Sequence, residues 1–363
     1  MTTTTDDASS AGPTAERFAD RMLASALGAF ECLSVYVGDR LGWYRSLAAD
    51  GPATPAELAE RTGTHERYAR EWLEQQAVVG ILATDPADPH RRYSLPTGAA
   101  EVLTDEHSLA YLGPVPRLIA APGGQLPALL SAFRHGGGVT WNDLGADGRE
   151  AQADLNRPWF ASPLADALSS VPDVHDLLAR RGTRIADIGC GAGWSSIGLA
   201  RAYPGATVEG FDVDAPSIDM ARANAEAAGL SDRVSFHVAD GATLAEDDTF
   251  DAAFAFECLH DMSNPVGVLA SIRRAVRSDG LVVVMDEAVA EEFTAPGDDL
   301  ERLMYGFSLF ICLPDGMSSE PSAATGTVMR PATLAGYGRQ AGFDRLEVLP
   351  IEDFGFFRFY RLH

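Results

Sequence analysis

Lysine is absent from all 363 residues, and the 28 basic side chains are all arginine. That absence excludes two chemistries: the Walker phosphate loop, which ends on a lysine, and a Schiff-base nucleophile. Cysteine is scarce, with Cys32, Cys190, Cys258 and Cys312 too far apart in sequence to form a metal-ligand pair. No metal is therefore expected. Basic charge is outnumbered by 52 acids, for a net charge of -24. This argues against nucleic acid or an anionic membrane as partner. No signal peptide and no apolar run of spanning length is legible, so a reduced, soluble, cytoplasmic protein is expected.

What is present is a hydrophobic fraction of 46%, enough for a sizeable core. At this length two domains are expected. The chain is organised around Arg184 to Trp194, where a short apolar run breaks into Gly189, Gly191 and Gly193 and continues as a helix. Strand, glycine turn and helix open a doubly wound sheet, whose ligands lie outside the carboxyl ends of its strands. The glycines fall as G-x-G-x-G, with Trp194 where the dinucleotide fingerprint wants a small residue. The next strand, Thr207–Asp212, ends on Asp212, at about the spacing of a ribose-binding acid.

From residue 182 the alternation is regular. Strands are expected at Arg184–Ile188, Thr207–Asp212, Val234–Ala239, Phe250–Phe256 and Leu281–Asp286, with helices between them. An insertion at 291–328, rich in Met, Phe, Gly and Pro, precedes a last helix and two strands.

Asp187-Ile188-Gly189-Cys190-Gly191-Ala192-Gly193, followed by Gly210-Phe211-Asp212, resembles motif I and the partner acid of class I S-adenosylmethionine-dependent methyltransferases. The resemblance implies a Rossmann-like α/β sheet with helices on both faces and S-adenosyl-L-methionine as cofactor. It places Gly189, Gly191 and Gly193 by the methionine part, Asp187 near its amino group and Asp212 on the ribose. Asp240 and Gly241, after the third strand, match the adenine contact, and Glu257 joins the cofactor set.

Leu259-His260-Asp261-Met262-Ser263-Asn264 resembles the His-Asp-Trp-Ser segment of winged-helix O-methyltransferases, with Met262 in place of Trp. The likeness implies that His260 deprotonates the acceptor hydroxyl and that Asp286 or Glu287 orients it. The Asn/Asp-Pro-Pro-aromatic motif of many amino-group methyltransferases is missing.

Upstream, residues 1–14 read as a disordered tail. Residues 15–109 read as a mostly α winged-helix domain, similar to the dimerising, pocket-roofing domain of such enzymes, so a homodimer is expected. Its second helix, His65 to Val79, interleaves Arg67 and Arg70 with Glu66, Glu71 and Glu74, against DNA reading. Residues 110–181 form a helical linker and pocket wall with Trp159 and Phe160, and 182–363 the cofactor domain. Met304, Tyr305, Phe307, Phe310 and Met317 of the insertion are expected to line the acceptor pocket, with Leu313 to Ser319 as a lid.

The expected function is methyl transfer to a small, fairly apolar molecule, at oxygen. Three alternatives stay open. They are C- or N-methylation with His260 only positional, other chemistry on the same fold, and a winged-helix regulator that senses a metabolite.

Overall fold

The computed structural model describes residues 14–244 and 249–363. The tail expected at 1–14 thus lies outside the described residues, except Thr14, whose Oγ1 caps the first helix. The chain divides into two compact units, one ending at Thr104 and the other running from Asp105 to His363.

The first unit consists of helices α1 (Ala15–Arg40), α2 (Trp43–Asp50), α3 (Pro55–Thr62) and α4 (Glu66–Val78), a wing of β1 (Ala83–Thr84) and β2 (Tyr93–Ser94), and α5 (Thr97–Thr104). The wing pairs antiparallel, with Ala83 opposite Ser94 and Thr84 opposite Tyr93. Thr54 and Glu57 close a capping box at the start of α3, where Pro55 supplies a preset φ. The core gathers Trp43, Tyr44, Leu58, Leu73 and Tyr93, with Trp43 and Trp72 rings 4.8 Å apart. Each such side chain contributes about 1.5–3 kcal/mol on burial. On α4, Arg67 pairs with Glu71 and Arg70 with Glu66.

Helix α1 corrects one expectation: it is long and apolar enough to cross a membrane by length and composition. Glu31 near its middle obscures the run in sequence. The helix leaves Phe18, Met22, Leu23, Leu27, Phe30 and Leu33 exposed.

The second unit starts with α6 (Val115–Ala120), α7 (Leu126–His135), α8 (Gly145–Ala161), α9 (Pro163–Ser169) and α10 (Pro172–Leu178). The α/β layer follows as β3 (Arg184–Ile188), α11 (Trp194–Ala202), β4 (Thr207–Asp212), α12 (Ala215–Ala227), β5 (Val234–Val238), β6 (Phe250–Phe256), α13 (Pro265–Ala275) and β7 (Val276–Glu287). The insertion holds α14 (Asp299–Phe307) and α15 (Leu313–Gly316), and the chain closes with α16 (Pro331–Gln340), β8 (Leu346–Val348) and β9 (Phe357–Leu362).

The seven strands run in the order β5-β4-β3-β6-β7-β9-β8. The first five are parallel, and β9 lies antiparallel between β7 and β8. One apolar cluster packs α9 to α12 on one face, and a second packs α13 and α16 on the other. Only a 3-10 turn, Gly241–Thr243, stands among the described residues between β5 and β6, where a helix was expected. The order reverses at β3, flanked by β4 and β6, so the crevice of a doubly wound sheet opens at the end of β3.

Candidate active site

The glycine turn begins where β3 stops. Gly189 and Cys190 donate their N–H groups to Phe211 O at 2.8 and 3.2 Å, draping the turn over the end of β4. All three glycines have left-handed φ, +68° at Gly189, +50° at Gly191 and +79° at Gly193. A Cβ at Gly189 would lie 2.7 Å from Cys258 Sγ, and one at Gly193 2.6 Å from the Phe236 ring. At Gly191 it would meet nothing within 4 Å. The outer glycines are thus fixed by packing, while the middle one fronts open space that a ligand can occupy.

Two acids frame that space. Asp212 Oδ2 accepts from Gly191 N at 2.9 Å and Oδ1 from Asp214 N at 2.8 Å, so its carboxylate is aimed before any ligand arrives. Asp187 is fully buried. Its Oδ2 accepts from the Ser195 and Ser196 hydroxyls at 2.6 and 2.5 Å, and Oδ1 has no partner among the described residues. Burial pushes the Asp187 carboxyl up to about 6, against the two serines. An orphaned, buried acceptor beside a glycine turn fits the ammonium of a bound amino acid moiety.

The adenine-side residues are placed more loosely. Asp240 is exposed, and its Oδ1 caps the Gly241–Thr243 turn through Ala242 N at 2.9 Å. Gly241 is required by packing, since a Cβ there would fall 2.7 Å from Ile188 Cγ2. Glu257 holds a left-handed φ of +50°, unusual for a side chain of its size. Burial pushes its carboxyl up to about 8, with Asp286 and Asp261 adding and His260 opposing.

One strand over, His260 follows the end of β6, held against the turn by the Cys258 thiol donating to Ile188 O at 3.1 Å. The imidazole is 2% exposed. Its Nδ1 lies 3.0 and 3.1 Å from the two oxygens of Asp286. Glu287 Oε2 is farther, at 3.4 Å, and has no hydrogen bond. Asp286 is therefore the better placed to fix the ring. Burial alone would lower the His260 pKa, but Asp261, Asp286 and Glu287 outweigh it and raise it well above the ordinary value. Asn264, not His260, caps α13, through Gly267 N at 3.0 Å.

The insertion packs on this segment. Gly326 donates to His260 O at 3.2 Å and Ala323 to Ser263 O at 2.8 Å. Met304 is buried, Met317 and Phe307 are half-buried, and Tyr305 and Phe310 are exposed. Phe307 packs with Leu118, Leu144, Ile311 and Cys312, so part of the expected lining serves a small core. Phe160 is a correction: its ring meets Phe256 at 5.3 Å, tilted by 60°, inside the sheet core. Its neighbour Trp159 leans on Phe354 at 5.4 Å. The lid expectation is corrected too. Leu313 to Gly316 is a helical turn pinned by Val139 N to Pro314 O at 3.1 Å and Trp141 N to Asp315 Oδ1 at 2.7 Å.

Sequence reasoning missed Arg149, Asp214 and Cys312. Asp214 was legible as a cap, since Pro216 follows it at the head of α12. Arg149 on α8 binds Asp214 with Nε at 2.6 Å, across 65 residues that hide it from any local pattern. Cys312 comes beside His260 and Asp261, and burial pushes its thiol up to about 12.

Residues 179–309 match a family model described as a methyltransferase domain, and residues 29–105 match a Rv2258c-like winged HTH domain. Methyltransferase GfsG of Streptomyces halstedii is 34% identical over 135 residues, 36% of this chain and 48% of that protein. The chain thus spans about half the length of this relative. The structure of the mitomycin 7-O-methyltransferase MmcR superimposes with a TM-score of 0.73 at 22% identity, covering 97% of this chain and 99% of that one. Human N-acetylserotonin methyltransferase in complex with S-adenosylmethionine gives 0.68 at 16% identity, covering 98% and 99%.

Sheet order, glycine turn and aimed acid define a class I methyltransferase fold. This chain joins that methyltransferase domain to an N-terminal winged helix-turn-helix domain.

Proposed function

We propose that the chain is an S-adenosylmethionine-dependent O-methyltransferase of a small molecule. The observation that carries this reading is His260, oriented by Asp286 and held one strand away from the glycine turn. Gly191 and Asp212 would hold the ribose side of the cofactor, and the free Oδ1 of Asp187 would meet its ammonium. When bound, the cofactor supplies an electrophilic methyl group. The chain has to hold the acceptor in line, exclude water and take up one proton. Asp286 keeps Nδ1 protonated and so directs Nε2 toward the acceptor as the proton-accepting atom.

A second reading is favoured by one observation: three carboxylates hold a proton on His260, which then only positions a carbon or nitrogen acceptor. Incubation with methyl-labelled cofactor and a panel of hydroxyl, amine and carbon acceptors separates the two, once mass spectrometry locates the label. Label on oxygen supports the first reading; label found only on carbon or nitrogen refutes it.

The paired arginines of α4 support a winged helix that does not read DNA, and the exposed apolar stripe of α1 supports a homodimer. The net charge of -24 supports a protein without an anionic membrane partner.

A further inference from the structure

One donor atom each from His260, Asp261 and Cys312 lies within 4.8 Å of the other two. Cys312 reaches this point from the insertion, at the end of a π-helical turn, Ser308–Cys312. The imidazole and the thiol are 2% and 8% exposed. Asp286 occupies His260 Nδ1, which leaves Nε2 as the ring atom that can coordinate. Asp261 Oδ1 lies 3.2 Å from Nε2, an ion pair without the alignment of a hydrogen bond. Thr327, 2% exposed, is a further polar neighbour of the thiol. Its Oγ1 has no hydrogen bond among the described residues.

Nitrogen, sulfur and oxygen gathered at one point are a donor set for zinc, whereas magnesium and calcium take oxygens. Zinc bound at about 2.0–2.2 Å by imidazole and carboxylate holds those two donors about 3.3–3.5 Å apart at the tetrahedral angle. The 3.2 Å between Nε2 and Oδ1 is already close to that edge. Closing the thiol onto the same centre takes a movement on the order of 1 Å. The outer partner is in place as well. A metal-bound imidazole donates its other N–H to a carboxylate, and Asp286 stands ready at Nδ1. We propose that His260 Nε2, Asp261 Oδ1 and Cys312 Sγ bind one zinc ion, with Thr327 Oγ1 or a water in the fourth position. The thiol proton and any proton on Nε2 pass to solvent, because zinc takes the thiolate and the neutral ring.

Zinc on Nε2 occupies the lone pair that would accept a proton from the methyl acceptor. The metal therefore silences methyl transfer, and its removal restores the base. That consequence rests on the proposed role of His260, whereas binding of the ion does not. The wide spacing of the four cysteines excludes a paired-cysteine site, and this one uses a single cysteine.

The test titrates the full chain, stripped with a chelator, with Co²⁺ and follows absorption. Binding should raise a thiolate-to-cobalt charge-transfer band in the near ultraviolet and the visible bands of a tetrahedral ion, and Zn²⁺ should bleach both. Cys312→Ala should abolish the charge-transfer band, and Cys32→Ala should keep it. Asp286→Asn leaves all three ligands and should weaken Zn²⁺ binding about 10–100-fold in calorimetry, the scale of a lost outer partner. Circular dichroism melting of each variant without metal reports the fold. No charge-transfer band in the parent chain, a band that survives Cys312→Ala, or unchanged Zn²⁺ affinity in Asp286→Asn overturns the proposal. Label transfer is scored separately. A charge-transfer band with transfer that Zn²⁺ leaves unchanged keeps the site and removes His260 as the base. A band with no transfer to any acceptor, even after stripping, keeps the site and removes the methyltransferase reading. Transfer by a chain that shows no band does the reverse.

Discussion

Arg149 and Asp214 form a nearly buried ion pair, with side chains 10% and 9% exposed, that fastens α8 to the loop carrying the ribose acid. Asp214 N in turn donates to Asp212 Oδ1, so the arginine acts on Asp212 through one residue. Arg149→Met should leave Asp214 buried without its partner and cost about 3–5 kcal/mol of stability. Weaker S-adenosylhomocysteine binding should accompany the loss, read by calorimetry well below the melting temperature. Unchanged affinity would show that the pair only braces the helix.

Asp212→Ala removes the acceptor aimed by Gly191 N. Hydrogen bonds to a charged group contribute about 1.5–3 kcal/mol each. Cofactor affinity should therefore drop at least tenfold in calorimetry, with the fold retained.

Glu257 gives a pH signature. Its carboxyl is pushed up to about 8 by burial, above its ordinary 4.5, so the folded chain holds a proton that the unfolded chain has released. Stability from this group is present below about pH 4.5 and declines as pH rises toward 8. Glu257→Gln should flatten that slope in denaturant titrations across the range. A cationic cofactor should also expel the proton at pH 7. Calorimetry in buffers of different ionisation enthalpy would register the release, and a release that persists in Glu257→Gln assigns it elsewhere.

For His260, replacement by Gln should lower kcat about 10²–10⁴-fold, the usual scale of general-base catalysis, while cofactor affinity holds. Partial recovery at high pH, where the acceptor ionises unaided, is the mark of a lost base. A kcat within a few-fold of the parent makes the residue positional.

The exposed stripe on α1 should be covered by a second copy of the chain. Leu27→Arg combined with Phe30→Arg should convert the dimer to a monomer in multi-angle light scattering, leaving cofactor affinity unchanged. A parent chain that is already monomeric contradicts the homodimer.

The glycine turn, Asp212 and the His260 segment were legible because each is a run of consecutive residues whose chemistry is local. The α/β alternation was legible for the same reason, down to the bounds of β3 and β4. Phe160 misled because Asn156 to Phe160 mixes polar and aromatic residues, and only the rotation of α8 decides which face the core takes. The choice between Asp286 and Glu287 depended on reach: both carboxylates come to His260 Nδ1, at 3.0 and 3.4 Å, and only the geometry shows that Asp286 is the one that hydrogen-bonds to it. Arg149 on Asp214 exists only once distant segments meet.

The placement of β9 between β7 and β8 has a consequence for solubility. It covers the long strand β7, which would otherwise offer a row of apolar residues and unpaired backbone groups to another chain. The border of the sheet passes instead to β8, three residues long, where Arg345, Glu347 and His363 bond to one another. A short margin studded with charge is a poor template for a further strand, and this edge of the sheet is thereby guarded against pairing with another chain.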